Sequence, residues 1–312
     1  MSGEADFIAH MRGIAQHEAA RNLDDDAAVL DIMGQKIILT HDMMVEGVHF
    51  ASHANPADIA WKLVAVNLSD LASKGARPMG VLLGFMLGDG QWDREFALGL
   101  KHALTQFNTP LLGGDTVRAG ERESPRSFGM TAIGMVDGYE VPSRSGAQIG
   151  DDIFVTGHLG SAYAAYILQQ AQKFCPDILL DALHRPNPQL KLGQLLAPHV
   201  GAMMDISDGL LLDAQRMAMA SNICMKIDLG AVPLLREYIS HMGDDVDART
   251  RAASWGDDYQ LLFTIKPSAA VKFMGQRPIT KIGTCMAPHD GPLLLSMNGE
   301  AVQLPEKLGF SH

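Results

Sequence analysis

Short apolar runs alternate along this chain with longer stretches in which apolar residues recur every three or four positions. The runs have the length of strands, and the longer stretches have the spacing of amphipathic helices. In the first part of the chain the pattern predicts strands at 35–40, 80–87 and 128–136 and helices at 56–74 and 93–107. A chain in which strands and helices alternate is expected to belong to the α/β class.

A segment rich in glycine, proline and serine at 137–151 interrupts this pattern, which restarts beyond it. There it predicts strands at 152–156, 224–229 and 259–265 and helices at 160–172 and 209–220. Segments of that composition are typical of turns and linkers. We therefore predict two domains, which span residues 1–138 and 139–312.

Composition supports a folded protein of the cytoplasm. Hydrophobic residues make up 47% of the 312 residues and charged residues 20%, which argues against disorder. No apolar run reaches the roughly 18–20 residues that span a bilayer, so we expect no membrane association. The N-terminal stretch is polar, which argues against a secretory signal. Cys175, Cys224 and Cys285 are far apart, a pattern that favours reduced thiols.

The formal net charge of −11 narrows the class of partner. It disfavours nucleic acid, whose phosphate backbone needs clustered lysine and arginine. It is compatible with small phosphorylated ligands, because divalent cations can bridge carboxylates and phosphate oxygens.

Aspartates recur in five segments that we expect beside turns or at strand ends. These segments are 22–28, 40–42, 67–72, 113–118 and 205–210. Each aspartate alone is more commonly a helix cap or a turn residue. Together they are predicted to converge, and convergent carboxylates imply a metal ion or shifted pKa values. Oxygen ligands favour Mg²⁺ or Mn²⁺ over Zn²⁺.

Other phosphate and metal motifs are missing from the sequence. There is no GxxxxGK[ST] loop, no protein-kinase catalytic loop and no EF-hand. His49 and His53 lie four residues apart but belong to no HExxH motif, which disfavours a zinc site.

Seven motifs in order resemble the thiamine-monophosphate kinase family, over residues 24–310. That family is part of a larger group with aminoimidazole ribonucleotide synthetase and selenophosphate synthetase. The motifs are DDAAVL (25–30), THDMMVEGVHF (40–50), DIAWKLVAVNLSDLASKGARP (58–78), GGDTVR (113–118), SRSGAQIGDD (143–152), DISDGLLLD (205–213) and GDDYQLLF (256–263).

The resemblance implies a fold and a reaction. The fold would be α/β (α+β), of the two-domain PurM-like kind. Its N-terminal domain would contribute to the β-barrel of a homodimer, and its C-terminal domain would be α/β. The reaction would be direct in-line transfer from ATP, as co-substrate, to thiamine monophosphate. We expect no covalent nucleophile in this reaction. We expect several Mg²⁺ ions, and a monovalent cation stays an open part of the cofactor set.

The resemblance also carries roles to individual residues. It implies metal ligation by Asp26, Thr40, Asp42, Asp70, Asp115, Asp205 and Asp208. It implies nucleotide binding by Gly114, Arg144 and Ser207, and substrate binding by His49, Asp257 and Phe310. For Asp25, ligation and mere orientation both stay open.

Four positions depart from the family pattern. Asn22 and Asp24 replace glycines, which puts the geometry of the N-terminal loop in question. Asp257 replaces a glutamate and Trp255 a glycine. We hypothesise that the indole fills space in the thiamine pocket and faces the cationic ring.

Several other proteins compete with this resemblance. Selenophosphate synthetase needs a reactive N-terminal cysteine, and none precedes Cys175. A hydrogenase-maturation protein needs a C-terminal cysteine, whereas this sequence ends in Gly309-Phe310-Ser311-His312. Aminoimidazole ribonucleotide synthetase and a non-catalytic scaffold that binds magnesium nucleotide stay open.

Overall fold

Two sheets with helices packed on them organise the chain in the computed structural model, which describes residues 3–118, 124–273, 278–288 and 291–310. The first sheet has five strands in the order β1-β2-β5-β3-β4. Its strands are β1 (Ala28–Ile32), β2 (Gln35–Val45), β3 (Arg77–Leu87), β4 (Leu111–Arg118) and β5 (Ser127–Val136). Only β3 and β4 pair in parallel; the other neighbours are antiparallel. The helices of this part are α1 (Glu4–Arg12), α2 (Pro56–Ser73) and α3 (Gly90–Gln106).

The second sheet has seven strands in the order β12-β11-β8-β10-β6-β9-β7. They are β6 (Asp152–Thr156), β7 (Ala202–Ile206), β8 (Cys224–Asp228), β9 (Gln260–Ile265), β10 (Ile279–Met286), β11 (Leu293–Met297) and β12 (Glu300–Val302). Its helices are α4 (Ser161–Gln170), α5 (Asp177–His184), α6 (Leu190–Leu196), α7 (Leu210–Ser221), α8 (Arg236–Met242), α9 (Val246–Ser254) and α10 (Pro267–Ala270). β8 and β11 are parallel neighbours, and the remaining pairs are antiparallel.

Local chemistry explains where the long helices begin. Helix α2 starts with Pro56, and the Asn55 side chain accepts a hydrogen bond from the Ala57 amide at 2.8 Å. Proline and asparagine at these places are typical of a helix N-terminus. Helix α3 starts after Asp89, whose carboxylate accepts hydrogen bonds from two amides of the first turn.

Helix α2 lies between the two sheets. Most of its 18 residues are buried, among them the polar residues Lys62, Asn67, Ser69 and Ser73. It packs against α3, β2 and β5 of the first part of the chain and against α6 and β7 of the second. Near its end, Ala72 belongs to the same core as Phe154, Met203 and Phe263 of the second sheet. The helix therefore joins the two halves of the molecule.

The structure confirms the predicted strands and helices to within a few residues and adds several that the pattern did not indicate, among them β1, β4 and β10. The placement of the aspartates at turns and strand ends was partly wrong. Asp42 lies inside β2, Asp115 inside β4 and Asp70 inside α2. The boundary between domains at 138/139 stays a prediction. Among the helices of the described ranges, none combines the length and the apolar character needed to cross a membrane.

Candidate active site

Helix α2 carries polar side chains into the junction of the two sheets. Asp70 and Lys74 are four residues apart, so they lie on the same side of the helix end. Ser69 Oγ donates a hydrogen bond to Asp205 Oδ2 of β7 at 2.6 Å. Lys74 Nζ donates one to the carbonyl of Met203, also in β7, at 3.2 Å. Side chains from both halves of the chain therefore meet in one place.

Asp42, Asp70 and Asp205 form an acidic cluster at this junction. Asp205 is buried, and the other two are half-buried. Burial raises the pKa of all three carboxyls, and repulsion between neighbouring carboxylates raises them further. Thr40 donates a hydrogen bond to Asp70, so Thr40 also adjoins the cluster.

In the described part of the chain, no lysine or arginine forms an ion pair with any of the three carboxylates of the acidic cluster. Its basic neighbour is His41, which partly offsets the effect of burial on the pKa of Asp42. Carboxylates that repel one another without a counterion favour a bound cation. As the side chains stand, no group of three or more His, Cys, Asp or Glu residues in the described ranges forms a ready-made metal site. The carboxylate oxygens of the acidic cluster are ligands of the kind that Mg²⁺ prefers. Their side chains, however, do not converge on one point.

Asp26 lies in a different electrostatic setting. Its Oδ1 accepts a hydrogen bond from Arg144 Nε at 2.8 Å and lies 2.7 Å from Arg144 Nη2 in an ion pair. Its Oδ2 lies 2.8 Å from Lys74 Nζ and 2.5 Å from Ser73 Oγ. Burial raises the pKa of Asp26, but Lys74 and Arg144 outweigh that effect and lower it to about 2. Both carboxylate oxygens of Asp26, a predicted metal ligand, therefore already have cationic partners. One of these partners is Arg144, which was predicted to bind the nucleotide.

Asp25 completes what we call the buried ion network, formed by Arg21, Asp25, Asp26, Lys74 and Arg144. Asp25 Oδ1 lies 2.5 Å from Lys74 Nζ, and Oδ2 lies 2.5 Å from Arg21 Nη1. Burial lowers the pKa of Lys74, but the two carboxylates outweigh that effect and raise it. Of the two roles left open for Asp25, these contacts support orientation.

The loop before these aspartates keeps a glycine-like backbone without glycine. Arg21, Asn22 and Leu23 have φ values of 47°, 59° and 54°, in the left-handed region that costs an ordinary residue about 1–2 kcal/mol. Arg21 anchors the loop by donating hydrogen bonds to the carbonyls of Pro142 and Val141 at 2.9 and 3.1 Å. Anchoring by Arg21 thus holds the left-handed backbone at Asn22, whereas Asp24, the other position that lacks the family glycine, has a φ of −107° that any residue adopts.

The loop after β7 is ordered by a residue that sequence reasoning missed. Asp213 Oδ2 accepts hydrogen bonds from the amides of Ser207 and Asp208, both at 3.1 Å. Burial raises the pKa of Asp213 to about 7. Arg216 forms ion pairs with both Asp208 and Asp213. The sequence did contain an indication of Asp213, because Asp213 is the last residue of the motif that begins at Asp205.

Strand β4 holds Gly114 and Asp115 at some distance from the acidic cluster. Asp42 and Gly114 occupy one row across the sheet through Met130 and Leu83, which is three strand spacings. At about 4.8 Å each, this is about 14 Å. Asp115, next to Gly114, is exposed. The structure therefore does not bring Asp115 together with the other predicted ligands in one chain. A side chain at Gly114 would lie 1.9 Å from the Leu83 carbonyl oxygen, so the sheet itself requires glycine there.

Asp257 is held next to what we call the Asp205–Asp208 loop, which comprises the last two residues of β7 and the two that follow. Its amide donates a hydrogen bond to the Ser207 carbonyl at 2.9 Å. Its carboxylate lies 2.8 Å from Nζ of Lys62 in α2 and accepts a hydrogen bond from the Tyr259 hydroxyl at 3.0 Å. Asp257 and Tyr259 both have left-handed φ values, 67° and 49°. Such backbone strain is more common at functional sites, and the Lys62 partner was not predicted.

The remaining predicted substrate residues take different positions. The Phe310 amide donates a hydrogen bond to the Asp208 carbonyl at 2.9 Å, so Phe310 adjoins the site. His49 lies in the turn after β2, where its Nδ1 accepts from the Val45 amide at 3.1 Å. Trp255 packs against Tyr163 and Tyr166 of α4, with ring centroids 5.3 and 5.0 Å apart.

Comparison with known proteins places this geometry in a family. The family model described as AIR synthase related protein, N-terminal domain, matches residues 24–136, and that described as AIR synthase related protein, C-terminal domain, matches residues 148–270. The thiamine-monophosphate kinase of Haemophilus influenzae is 36% identical over 253 residues, which cover 79% of this chain and 75% of that protein.

Solved structures agree with these matches. The structure of AaThiL complexed with AMPPCP and TMP is similar with a TM-score of 0.86 and 27% identity, over 99% of this chain and 97% of that one. Thiamine-monophosphate kinase from Stenotrophomonas maltophilia K279a gives a TM-score of 0.77 and 34% identity, over 95% and 96% of the two chains. The predicted two-domain PurM-like α/β fold is thereby confirmed, and its dimeric barrel stays a prediction. This chain belongs to the thiamine-monophosphate kinase family of AIR synthase-related enzymes.

Proposed function

We propose that this protein phosphorylates thiamine monophosphate with ATP and produces thiamine diphosphate by direct in-line transfer. The observation that carries the proposal is the acidic cluster, in which carboxylates from both halves of the chain meet and no lysine or arginine among the described residues is paired with them. Phosphoryl transfer depends on positioning and charge neutralisation more than on covalent chemistry. A protein nucleophile is therefore not required.

The acidic cluster is the proposed Mg²⁺ site. Asp42, Asp70 and Asp205 would hold the ions, with Thr40 and Asp208 beside them. When bound, Mg²⁺ would neutralise charge on the phosphates. The ligand roles predicted for Asp26, Asp208 and Asp115 have less support, because Asp26 and Asp208 are already paired with basic residues and Asp115 is exposed on β4.

The Asp205–Asp208 loop is the proposed contact for nucleotide phosphates. Asp213 fixes the amides of Ser207 and Asp208, which keeps the loop in one conformation. Gly114 and Arg144 stay predicted nucleotide-binding residues. Arg144 could bind the nucleotide only through the guanidinium N–H groups that do not face Asp26.

Substrate is proposed to bind between α2 and the segment around residue 257. The Asp257 carboxylate would face the cationic thiazolium ring, and its ion pair with Lys62 would set how much negative charge the ring meets. Phe310 adjoins the same loop through its hydrogen bond to Asp208. The role of His49 stays a prediction.

Strand β4 supports the proposed homodimer. It is an edge strand whose eight residues are all exposed, including Leu111, Leu112 and Val117. Apolar edge strands promote pairing with another chain. A second copy that covers β4 would complete the expected barrel.

We also propose a reducing compartment, the cytoplasm, because Cys175, Cys224 and Cys285 are free thiols. A monovalent cation stays an open part of the cofactor set.

A turnover assay with ATP, thiamine monophosphate and Mg²⁺ tests the function directly. Asp42→Asn should lower turnover by a factor on the order of 100 or more, the effect expected when electrostatic stabilisation of the transition state is lost. The same variant should unfold at a higher temperature than wild type in the absence of Mg²⁺, because one repelling carboxylate is gone.

Asp31→Asn is the matched control. Asp31 is an exposed aspartate of β1, paired with Lys36 at 2.9 Å, and its loss should leave turnover unchanged. Near-normal turnover of Asp42→Asn at saturating Mg²⁺ would contradict the proposed metal site. Tight ATP binding by wild type without any product would contradict the proposed reaction.

A further inference from the structure

Lys74 is a lysine with no exposed side-chain surface. Its Nζ lies 2.5 Å from Asp25 Oδ1, 2.8 Å from Asp26 Oδ2 and 3.2 Å from the Met203 carbonyl. An ammonium group has three N–H donors, and here three oxygens from three parts of the chain accept them. Two carboxylates and a carbonyl around one positive charge are the surroundings of a bound cation.

Charge is distributed unevenly between the two groups of carboxylates. In the buried ion network, three basic residues serve two aspartates. In the acidic cluster, three aspartates have no lysine or arginine paired to them among the described residues. The two groups adjoin, since Asp70 lies in the last turn of α2 and Lys74, four residues on, directly follows the helix. The chain itself therefore neutralises one group and leaves the other for added cations.

We propose that the ammonium group of Lys74 is a built-in cation that occupies the Asp25–Asp26 corner of the site, so that this corner takes up no metal ion. The inference rests on the proposed function for the corner's place in an active site. In this role Lys74 is a positioning residue, which fixes Asp26 against Arg144.

The spacing of the oxygens agrees with an ammonium group. They lie 2.5–3.2 Å from Lys74 Nζ, whereas Mg²⁺ binds oxygen at about 2.0–2.1 Å. The corner is thus wider than a Mg²⁺ site. Removal of the ammonium group would leave two buried carboxylates with a cavity between them, which a cation from solution would then fill.

The test counts cations bound to Lys74→Met and to wild type. Methionine keeps most of the side-chain length and removes the charge. Titration with Mn²⁺, followed by the electron paramagnetic resonance signal of free Mn²⁺, should show one more bound ion per chain in the variant. A parallel titration with K⁺, followed by the unfolding temperature, distinguishes a monovalent occupant. In either arm, the cation should stabilise the variant more than it stabilises wild type.

An equal number of bound ions in both proteins, with a loss of stability that neither Mn²⁺ nor K⁺ reduces, would overturn the inference.

If Lys74→Met does not fold, the double variant Asp25→Asn with Lys74→Met decides. That variant removes one charge of each sign, so it should fold and bind no extra ion. A double variant as unstable as the single one would show that Lys74 acts through packing alone. These readouts do not depend on turnover, so failure of the kinase proposal would be seen separately.

Discussion

Replacement of Lys62 by methionine should weaken the fold and at the same time strengthen the binding of thiamine monophosphate. Lys62 Nζ lies 2.8 Å from the Asp257 carboxylate and joins α2 to the proposed substrate pocket. Without Lys62, Asp257 loses its basic partner but keeps its charge. A cationic ring in the pocket would then meet a more negative carboxylate.

The size of each effect follows from the burial of the pair. The side chains are 9% and 31% exposed, which lies between a buried and a surface ion pair. Breaking a buried pair costs about 3–5 kcal/mol, and a surface pair is worth about 0–1 kcal/mol. We expect a loss of about 2 kcal/mol in the free energy of unfolding, from which we expect an unfolding temperature about 3 °C lower.

The effect on substrate should be smaller. Two unit charges 4 Å apart attract by about 4 kcal/mol near a protein surface. Only part of that is gained, because Lys62 cancels only part of the carboxylate field. We expect KM for thiamine monophosphate to fall about threefold to tenfold, or roughly 1 kcal/mol, with KM for ATP unchanged. Asp257→Asn should lower the unfolding temperature too, but raise KM for thiamine monophosphate.

Steady-state kinetics for each substrate and a melting curve for each variant measure these effects. Lys36→Met serves as the control, because Lys36 of β2 pairs with the exposed Asp31 near the end of β1. A higher KM for thiamine monophosphate in Lys62→Met would refute the reasoning, since it would mean that Lys62 itself binds the substrate.

Three further predictions concern the pocket wall, the dimer and pH. Trp255→Gly should raise KM for thiamine monophosphate and leave KM for ATP unchanged; it should also lower the melting temperature, because the contacts with Tyr163 and Tyr166 are lost. An equal change in both KM values would identify Trp255 as ordinary core. Wild type should sediment as a dimer at micromolar concentration and Leu112→Glu as a monomer, whereas a wild-type monomer would contradict the proposed interface. Burial raises the pKa of Asp258, so its contribution to stability is present below about pH 4 and is lost as pH rises through the folded-state pKa. Melting curves of Asp258→Asn should therefore show a gain over wild type that grows above about pH 4, and a gain independent of pH would contradict this.

Sequence patterns predicted the elements that have a buried face. The apolar run of β3 and the helical spacing in α2 are clear because both elements pack against a core. Strand β4 was not predicted as a strand, because it is exposed throughout and contains two glycines. An edge strand without a buried face shows no alternation of polar and apolar residues.

The sequence predicted which aspartates belong to the candidate site, but not which of them form ion pairs. Motifs pointed to the aspartates, and a local pattern cannot reveal which lysine or arginine approaches each of them after folding. Asp26 and Asp42 belong to similar motifs, yet Asp26 is paired with Lys74 and Arg144 whereas Asp42 has no such partner among the described residues. Left-handed backbone at Arg21 and Leu23 was equally hidden, because arginine and leucine seldom adopt it.

The position of α2 also determines whether the two halves of the chain could be separated from each other. The chain passes from one half to the other near residue 138, but the core of the second half includes Ala72 from the first. A fragment that begins after the linker would lack that part of its own interior and expose Phe154 and Phe263 to water. Cutting the gene at the linker would therefore not yield two independent proteins, and recombination between relatives should succeed only where both halves come from compatible parents.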